Sequence, residues 1–192
     1  MNEQIHHGQD VPRVGSDMVD QSCRSLRAII EGTPDAVYIK DEAGCYLQCN
    51  ASAVRFIGKH SEEVIGQDDR LLFPPAVAHM IMEQDRLVMA SGETITMEET
   101  LTAGNGESRT FLTTKGPTFD SEGRVRGLFG ISRDITERKK VEEALREANT
   151  AVELAMEGIS KLDRAGRYLF VNAQYAALLG YRPEELVGQS WE

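Results

Sequence analysis

Two stretches of this chain are near copies of one another. Residues 41–67 read DEAGCYLQCNASAVRFIGKHSEEVIGQ, and residues 163–189 read DRAGRYLFVNAQYAALLGYRPEELVGQ. Aligned without a gap, Asp41, Gly44, Tyr46, Leu47, Asn50 and Ala51 recur as Asp163, Gly166, Tyr168, Leu169, Asn172 and Ala173. Gly58, Glu62, Glu63, Gly66 and Gln67 recur as Gly180, Glu184, Glu185, Gly188 and Gln189. Self-similarity at a fixed offset marks one structural unit used twice. The first copy runs on into a long strand-like stretch, whereas the second meets Glu192 soon after its motif. The chain therefore reads as one complete module, a connector and the truncated opening of another.

Composition narrows the function classes. The 192 residues suit one or two domains, and 41% apolar with 27% charged residues supports a packed core. A formal charge of −10 argues against a nucleic-acid surface, which needs clustered Lys and Arg, and against an anionic membrane surface. The one basic cluster, Arg138-Lys139-Lys140, is followed by Glu142 and Glu143 and reads as a solvated helix side. No apolar run reaches the ~18–20 residues of a membrane helix, and no secretory signal opens the chain. The expectation is a cytoplasmic protein with no membrane segment in this fragment. Cys23, Cys45 and Cys49 are odd in number and lack CxxC spacing, which favours reduced thiols over a disulfide framework or metal site.

The order of elements follows from periodicity. Residues 1–16 lack it and read as a flexible lead-in. Val19, Cys23, Leu26 and Ile30 then form a helical seam that Gly32-Thr33-Pro34 stops. AVYIKD and CYLQCN are strands joined by a turn at Gly44. Short helices follow Asn50 and Ser61, and a longer one runs from Pro74-Pro75 to Ser91-Gly92. Between residues 94 and 134 three strand-like runs alternate with turn-rich tetrads, so antiparallel order is expected. The fold class is α+β: a five-stranded antiparallel sheet with helices on one face, flanked by N- and C-terminal amphipathic helices.

In this arrangement the sequence resembles the PAS domains, sensory modules of bacterial signalling proteins. The resemblance rests on PDAVYIKDEAG, Asn50 at the strand-to-helix exit, FIGKHSEEVIGQ and the closing triplet Asp134-Ile135-Thr136. In the second copy it rests on EGISKLDRAGRYLFVNAQYAALLGYRPEELVGQSW. It implies a PAS domain with its flanking helix over 17–136, a helical or coiled-coil connector over 137–156, and the N-terminal part of a second PAS domain over 157–192. It also implies a central cavity between sheet and helices. Pocket candidates are Val37, Ile39 and Leu47 from the hairpin, and Phe56, Ile65 and Met80 from the helices. Met97, Phe111, Thr113 and Leu128 are the candidates from the late strands; the alternative is that all ten simply fill the core.

The cofactor is left unknown. Flavin-based photosensors of the family carry a reactive cysteine in the short helix after the second strand, where this chain has ASAVRFIG, so that photochemistry is unsupported. His79 lies in the helix that carries the haem ligand of haem-binding members, but out of register, and one residue turns a helical side chain by ~100°. No metal site is expected.

The segment after Thr136 has its own pattern. Val141, Leu145, Ala148 and Val152 alternate four, three, four, a narrow heptad seam. With the N-terminal seam it points to a homodimer. No glycine or proline separates Ile131 from Met156, so strain in the last strand passes through Asp134, Ile135 and Thr136 into the helix. The functional expectation is a sensory relay with no catalytic motif of its own. It would take a small-molecule ligand or none, and would act on a downstream effector outside this fragment, a histidine kinase or diguanylate cyclase. The alternatives are a haem- or other cofactor-bearing gas or redox sensor, and a ligand-free dimerisation module.

Overall fold

The computed structural model describes residues 14–103 and 106–191, so most of the expected lead-in lies outside the described residues. The chain divides after Ile135 into two units.

The first unit opens with α1 (Val14–Gly32), which begins inside the expected lead-in, and continues with the hairpin β1 (Ala36–Asp41) and β2 (Tyr46–Cys49). Four helices follow: α2 (Ala51–Ile57), α3 (Ser61–Val64), α4 (Asp69–Leu72) and α5 (Pro75–Ser91). Then come β3 (Ile95–Thr102), β4 (Ser108–Phe119) and β5 (Val125–Asp134). The five strands form one antiparallel sheet in the order β2-β1-β5-β4-β3, with α2 packed on β1 and α5 packed on β3, β4 and β5. The short helix α4 was not resolved from its neighbours in the sequence. It starts because the Asp68 carboxylate accepts the Arg70 amide at 3.0 Å, an N-cap that side-chain spacing alone does not announce.

The second unit holds α6 (Thr136–Glu153), β6 (Ser160–Leu162), β7 (Tyr168–Val171), α7 (Ala173–Leu179) and α8 (Pro183–Leu186). The stretch expected as a separate connector thus groups with the second hairpin. None of the α6 side chains is buried, and Val141 and Leu145 are 67% and 61% exposed. Val19, Cys23, Leu26 and Ile30 are likewise exposed on α1. No helix among the described residues is long and apolar enough to cross a membrane.

The repeated residues have repeated jobs. Asp41 Oδ1 accepts the Ala43 and Cys45 amides at 3.0 and 2.8 Å, and Asp163 Oδ1 accepts those of Ala165 and Arg167 at 2.8 and 2.9 Å. This side-chain turn is closed by Gly44 and Gly166, both in the left-handed region. Asn50 is buried and uses both ends of its amide. Its Nδ2 donates to the carbonyls of Ile30 and Asp35 at 2.9 and 2.8 Å, and its Oδ1 accepts the amides of Val37 and Ala53 at 3.0 Å each. Asn172 does the same in the second unit. It donates to Val152 and Glu157 at 3.0 Å each and accepts from Ile159 and Tyr175 at 2.9 Å each. A single side chain therefore ties the end of an entering helix to the start of a strand and of a short helix. In this respect α6 is to the second unit what α1 is to the first.

Replacing Asn50 by Ala strands two buried amides and loosens two carbonyls at once. The expected loss is about 2–4 kcal/mol of stability in urea unfolding. A loss below about 1 kcal/mol would show that the latch is ornamental.

Candidate functional site

Charged side chains lie inside the sheet–helix sandwich. Lys40 of β1 is fully buried, and its Nζ donates to Asp69 Oδ2 of α4 at 2.6 Å and to Asp85 Oδ2 of α5 at 2.7 Å. Lys115 of β4, equally buried, donates to Asp85 Oδ1 at 2.8 Å and to Gln84 Oε1 at 3.1 Å. The Tyr46 hydroxyl donates to the other oxygen of Asp69 at 3.0 Å, and its ring centroid lies 4.5 Å from Lys40 Nζ. The result is an alternating chain, Asp69–Lys40–Asp85–Lys115, that joins two strands to two helices. Such charges persist in a dry interior only when each is paired and hydrogen-bonded, since the desolvation cost is several kcal/mol per ion.

The cluster corrects the inward face assigned to β1. Ala36, Tyr38 and Lys40 point to the helices, whereas Val37 and Ile39 sit half-buried on the opposite face. Both phases of AVYIKD contain large apolar residues, and Lys40 is inward because Asp69 and Asp85 wait there. Gly130 lies opposite Tyr38 in the sheet, and a Cβ at Gly130 would come within 2.2 Å of the Tyr38 ring. A side chain there would expel the tyrosine.

Beside the cluster is a small, partly open cavity of about 30 Å3. Its aromatic wall is Tyr38, Tyr46, Phe56, Phe73 and Phe111, and its polar lining is Glu99, Lys115 and Ser132. Ser132 accepts a hydrogen bond from Thr113 Oγ1 at 3.0 Å and is hydrogen-bonded to Tyr38. A second, outer hollow of about 170 Å3 shares Ala36, Phe56, Phe111 and Ser132 with the first and adds Pro34, Ser52, Arg55, Arg109 and Asp134. The Phe56 and Phe111 rings meet edge-on at 4.7 Å in the shared wall.

Of the ten residues proposed from sequence, Phe56 and Phe111 line the cavity. Leu128 and Thr113 are buried nearby without lining it, and Met80 and Met97 are half-buried. Leu47 and Ile65 are corrections: they are 51% and 39% exposed. Leu47 faces outward on the edge strand β2, and Ile65 ends α3 in an extended conformation. His79 is exposed on α5 and lines neither space. Among the described residues no group of three His, Cys, Asp or Glu side chains is placed to hold a metal ion. Lys40, Asp69, Asp85, Glu99 and Lys115 were missed. The available signal was phase: Glu99 lies between Met97 and Leu101, and Lys115 two residues beyond Thr113, on the inward side of each strand.

The proposed relay residues adjoin the outer hollow. Phe111 pairs across the sheet with Asp134, Arg109 Nη1 donates to Asp134 Oδ2 at 3.0 Å, and the buried Ile135 donates its amide to Thr110 at 2.9 Å. Thr136 then opens α6. The wall of the cavity and the last anchored residues of the first unit are thus neighbours in one β-ladder.

Burial holds both inner phenols well above their ordinary range. For Tyr38 the charges of Asp85, Glu99 and Asp69 add to it, and for Tyr46 the charge of Asp69 does. Burial also raises the Asp69 carboxyl, against the opposing pull of Lys40. A raised phenol gives stability that is fully present below the unfolded value of about 10 and lost as pH rises through the folded one. Tyrosinate absorbance from Tyr38 and Tyr46, assigned with Tyr38→Phe and Tyr46→Phe, should therefore appear only together with loss of circular dichroism above pH ~10. Ionisation of both in a folded chain would contradict this burial.

The comparisons agree with this architecture. A sequence profile of the PAS fold matches residues 30–140, and another PAS-fold profile matches residues 146–191. Over 130 residues the chain is 29% identical to the aerobic respiration control sensor protein ArcB of Escherichia coli, covering 68% of this chain and 17% of ArcB. It is 30% identical over 140 residues to the methanogenesis regulatory histidine kinase FilI of Methanothrix harundinacea, covering 73% of this chain and 15% of that protein. The chain thus spans about one sixth of the length of these relatives. Among solved structures, the PAS domain of Bordetella pertussis BvgS superimposes with a TM-score of 0.53 at 27% identity, covering 68% of this chain and 98% of that domain. With a PAS-fold profile matching more than half of its residues, and the five-stranded sheet and a cavity lined by sheet and helix residues in place, this chain belongs to the PAS family.

Proposed function

We propose that this chain is the cytoplasmic sensory relay of a larger signalling protein, and that it works as a homodimer. The first unit receives the signal, as a small molecule in or beside its cavity. The signal leaves through Asp134, Ile135 and Thr136 into α6, and α6 hands it to the second unit and to an effector beyond it. The relatives ArcB and FilI carry the names sensor protein and histidine kinase, which favours a kinase over a diguanylate cyclase as that effector. The chain itself performs no chemical step.

The observation that carries this reading is the ladder position of Phe111. It lines the cavity and pairs with Asp134, two residues before α6. A guest that displaces the ring strains the strand end from which the helix starts. A helix shifted or rotated at its base selects between two packings of a bistable element, the common means of transmission in such devices. Support for the dimer is the exposed stripe Val19, Cys23, Leu26 and Ile30 on α1, with Val141, Leu145 and Ala148 on α6. Solvated apolar stripes at heptad spacing suit a second copy of the same helix.

Continuity of β5 and α6 is what the reading needs. Two glycines inserted after Thr136 in the parent protein should abolish the difference in effector output between stimulated and unstimulated states. An undiminished response would refute the relay.

A further inference from the structure

Among the described residues, Glu99 Oε2 is the buried side-chain oxygen of the cavity lining that has no hydrogen-bond partner. Glu99 as a whole is 7% exposed. The other polar side chains around the cavity are engaged: Tyr46 with Asp69, Lys115 with Asp85 and Gln84, Ser132 with Thr113 and Tyr38. Asp69 and Asp85 take up both buried ammonium groups, Lys40 and Lys115, and neither lysine is hydrogen-bonded to Glu99.

We propose that the cavity of the first unit binds a small, largely apolar cation, a protonated amine whose N–H donates to Glu99. The inference rests on the reading of this unit as a ligand receiver and adds to it the chemistry of the ligand. The amine supplies the missing donor, and its positive charge strengthens that hydrogen bond. The walls suit the rest of such a molecule: Tyr38, Tyr46, Phe56 and Phe111 offer ring faces and edges, and aromatic faces attract a desolvated cation.

Size limits the guest. The inner space of about 30 Å3 has room for little beyond a water-sized guest. Joined to the outer hollow of about 170 Å3, it exceeds the roughly 150 Å3 that admits a benzene ring. Phe56 and Phe111, whose rings meet edge-on, line both spaces. A single-ring amine therefore enters by turning those rings, and Phe111 is the residue paired with Asp134.

The test is calorimetric titration of the full chain with benzylamine, with toluene as the same ring lacking a donor and a charge. Benzylamine should bind the natural chain, and Glu99→Gln should weaken it about ten- to hundredfold, the worth of a charge-assisted hydrogen bond. Toluene should bind more weakly than benzylamine to the natural chain and be indifferent to the substitution. If Glu99→Gln does not fold, the Glu99 carboxyl carbon resonance of the natural chain should move on benzylamine addition and stay still with toluene. Equal binding of both probes, unaffected by Glu99→Gln, would overturn the amine assignment while leaving a ligand-receiving unit intact. No binding of either probe would overturn it too, and the relay itself would still be judged by the glycine insertion after Thr136.

Discussion

The first unit depends on a charge chain that is almost wholly removed from solvent. Asp69, Lys40, Asp85 and Lys115 are joined by three contacts of 2.6, 2.7 and 2.8 Å, and the four residues come from α4, β1, α5 and β4. An apolar core tolerates sliding of its helices, because dispersion is non-directional. This chain does not: shifting α5 by one residue would carry Asp85 away from both lysines. The cost of breaking such a pair is the cost of the charge left behind, about 3–5 kcal/mol, far more than the pair's net contribution to stability. Position, more than stability, is what the cluster supplies. It holds the helices off the sheet at one register, and the cavity is the space that remains between the cluster and the aromatic side chains.

The repeat explains which sequence positions the local structure cannot vary. Asp41 and Asp163 close the hairpin turns, Asn50 and Asn172 latch the entering helices, and Gly66 and Gly188 donate to the carbonyls of Tyr46 and Tyr168 at 2.8 Å each. None of these interactions involves the charge chain. Lys40 and Asp69 correspond to Leu162 and Trp191 in the gap-free alignment, so the second unit has the frame without that cluster. Frame and interior are separable: the frame recurs because the backbone demands it, and the buried charges are not repeated with it.

That separation also marks what could be read from the chain. The strands, the turn glycines and the asparagine cap of α2 were legible because each signal is local: a glycine at a left-handed position, an asparagine at a helix start, an apolar residue at every second or fourth place. Phe56 and Phe111 were legible as cavity residues for the same reason. The inward face of β1 was not. Val37 and Ile39 looked like the buried phase because Lys40 looked like a solvent residue, and its partners lie 29 and 45 residues away. Glu99 and Lys115 sat in plain view at inward positions, and only the general rule that charges face water kept them out of the site. A charged residue in phase with apolar neighbours on a strand is the sequence mark of a polar interior.

The most direct test of this account is a double-mutant cycle on the pair that starts the chain, Lys40→Met with Asp69→Leu, read by denaturant unfolding. Lys40→Met leaves Asp69 with only the Tyr46 hydroxyl, and Asp69→Leu leaves Lys40 and Lys115 sharing one carboxylate, Asp85. The double mutant keeps the Asp85–Lys115 pair and replaces the other pair by apolar side chains. The two changes should therefore be strongly non-additive, with the double mutant more stable than the sum of the singles by about 2–3 kcal/mol. Additive effects would mean that Lys40 and Asp69 do not hold one another inside the fold, and the account of how the cavity is kept open would fall with them.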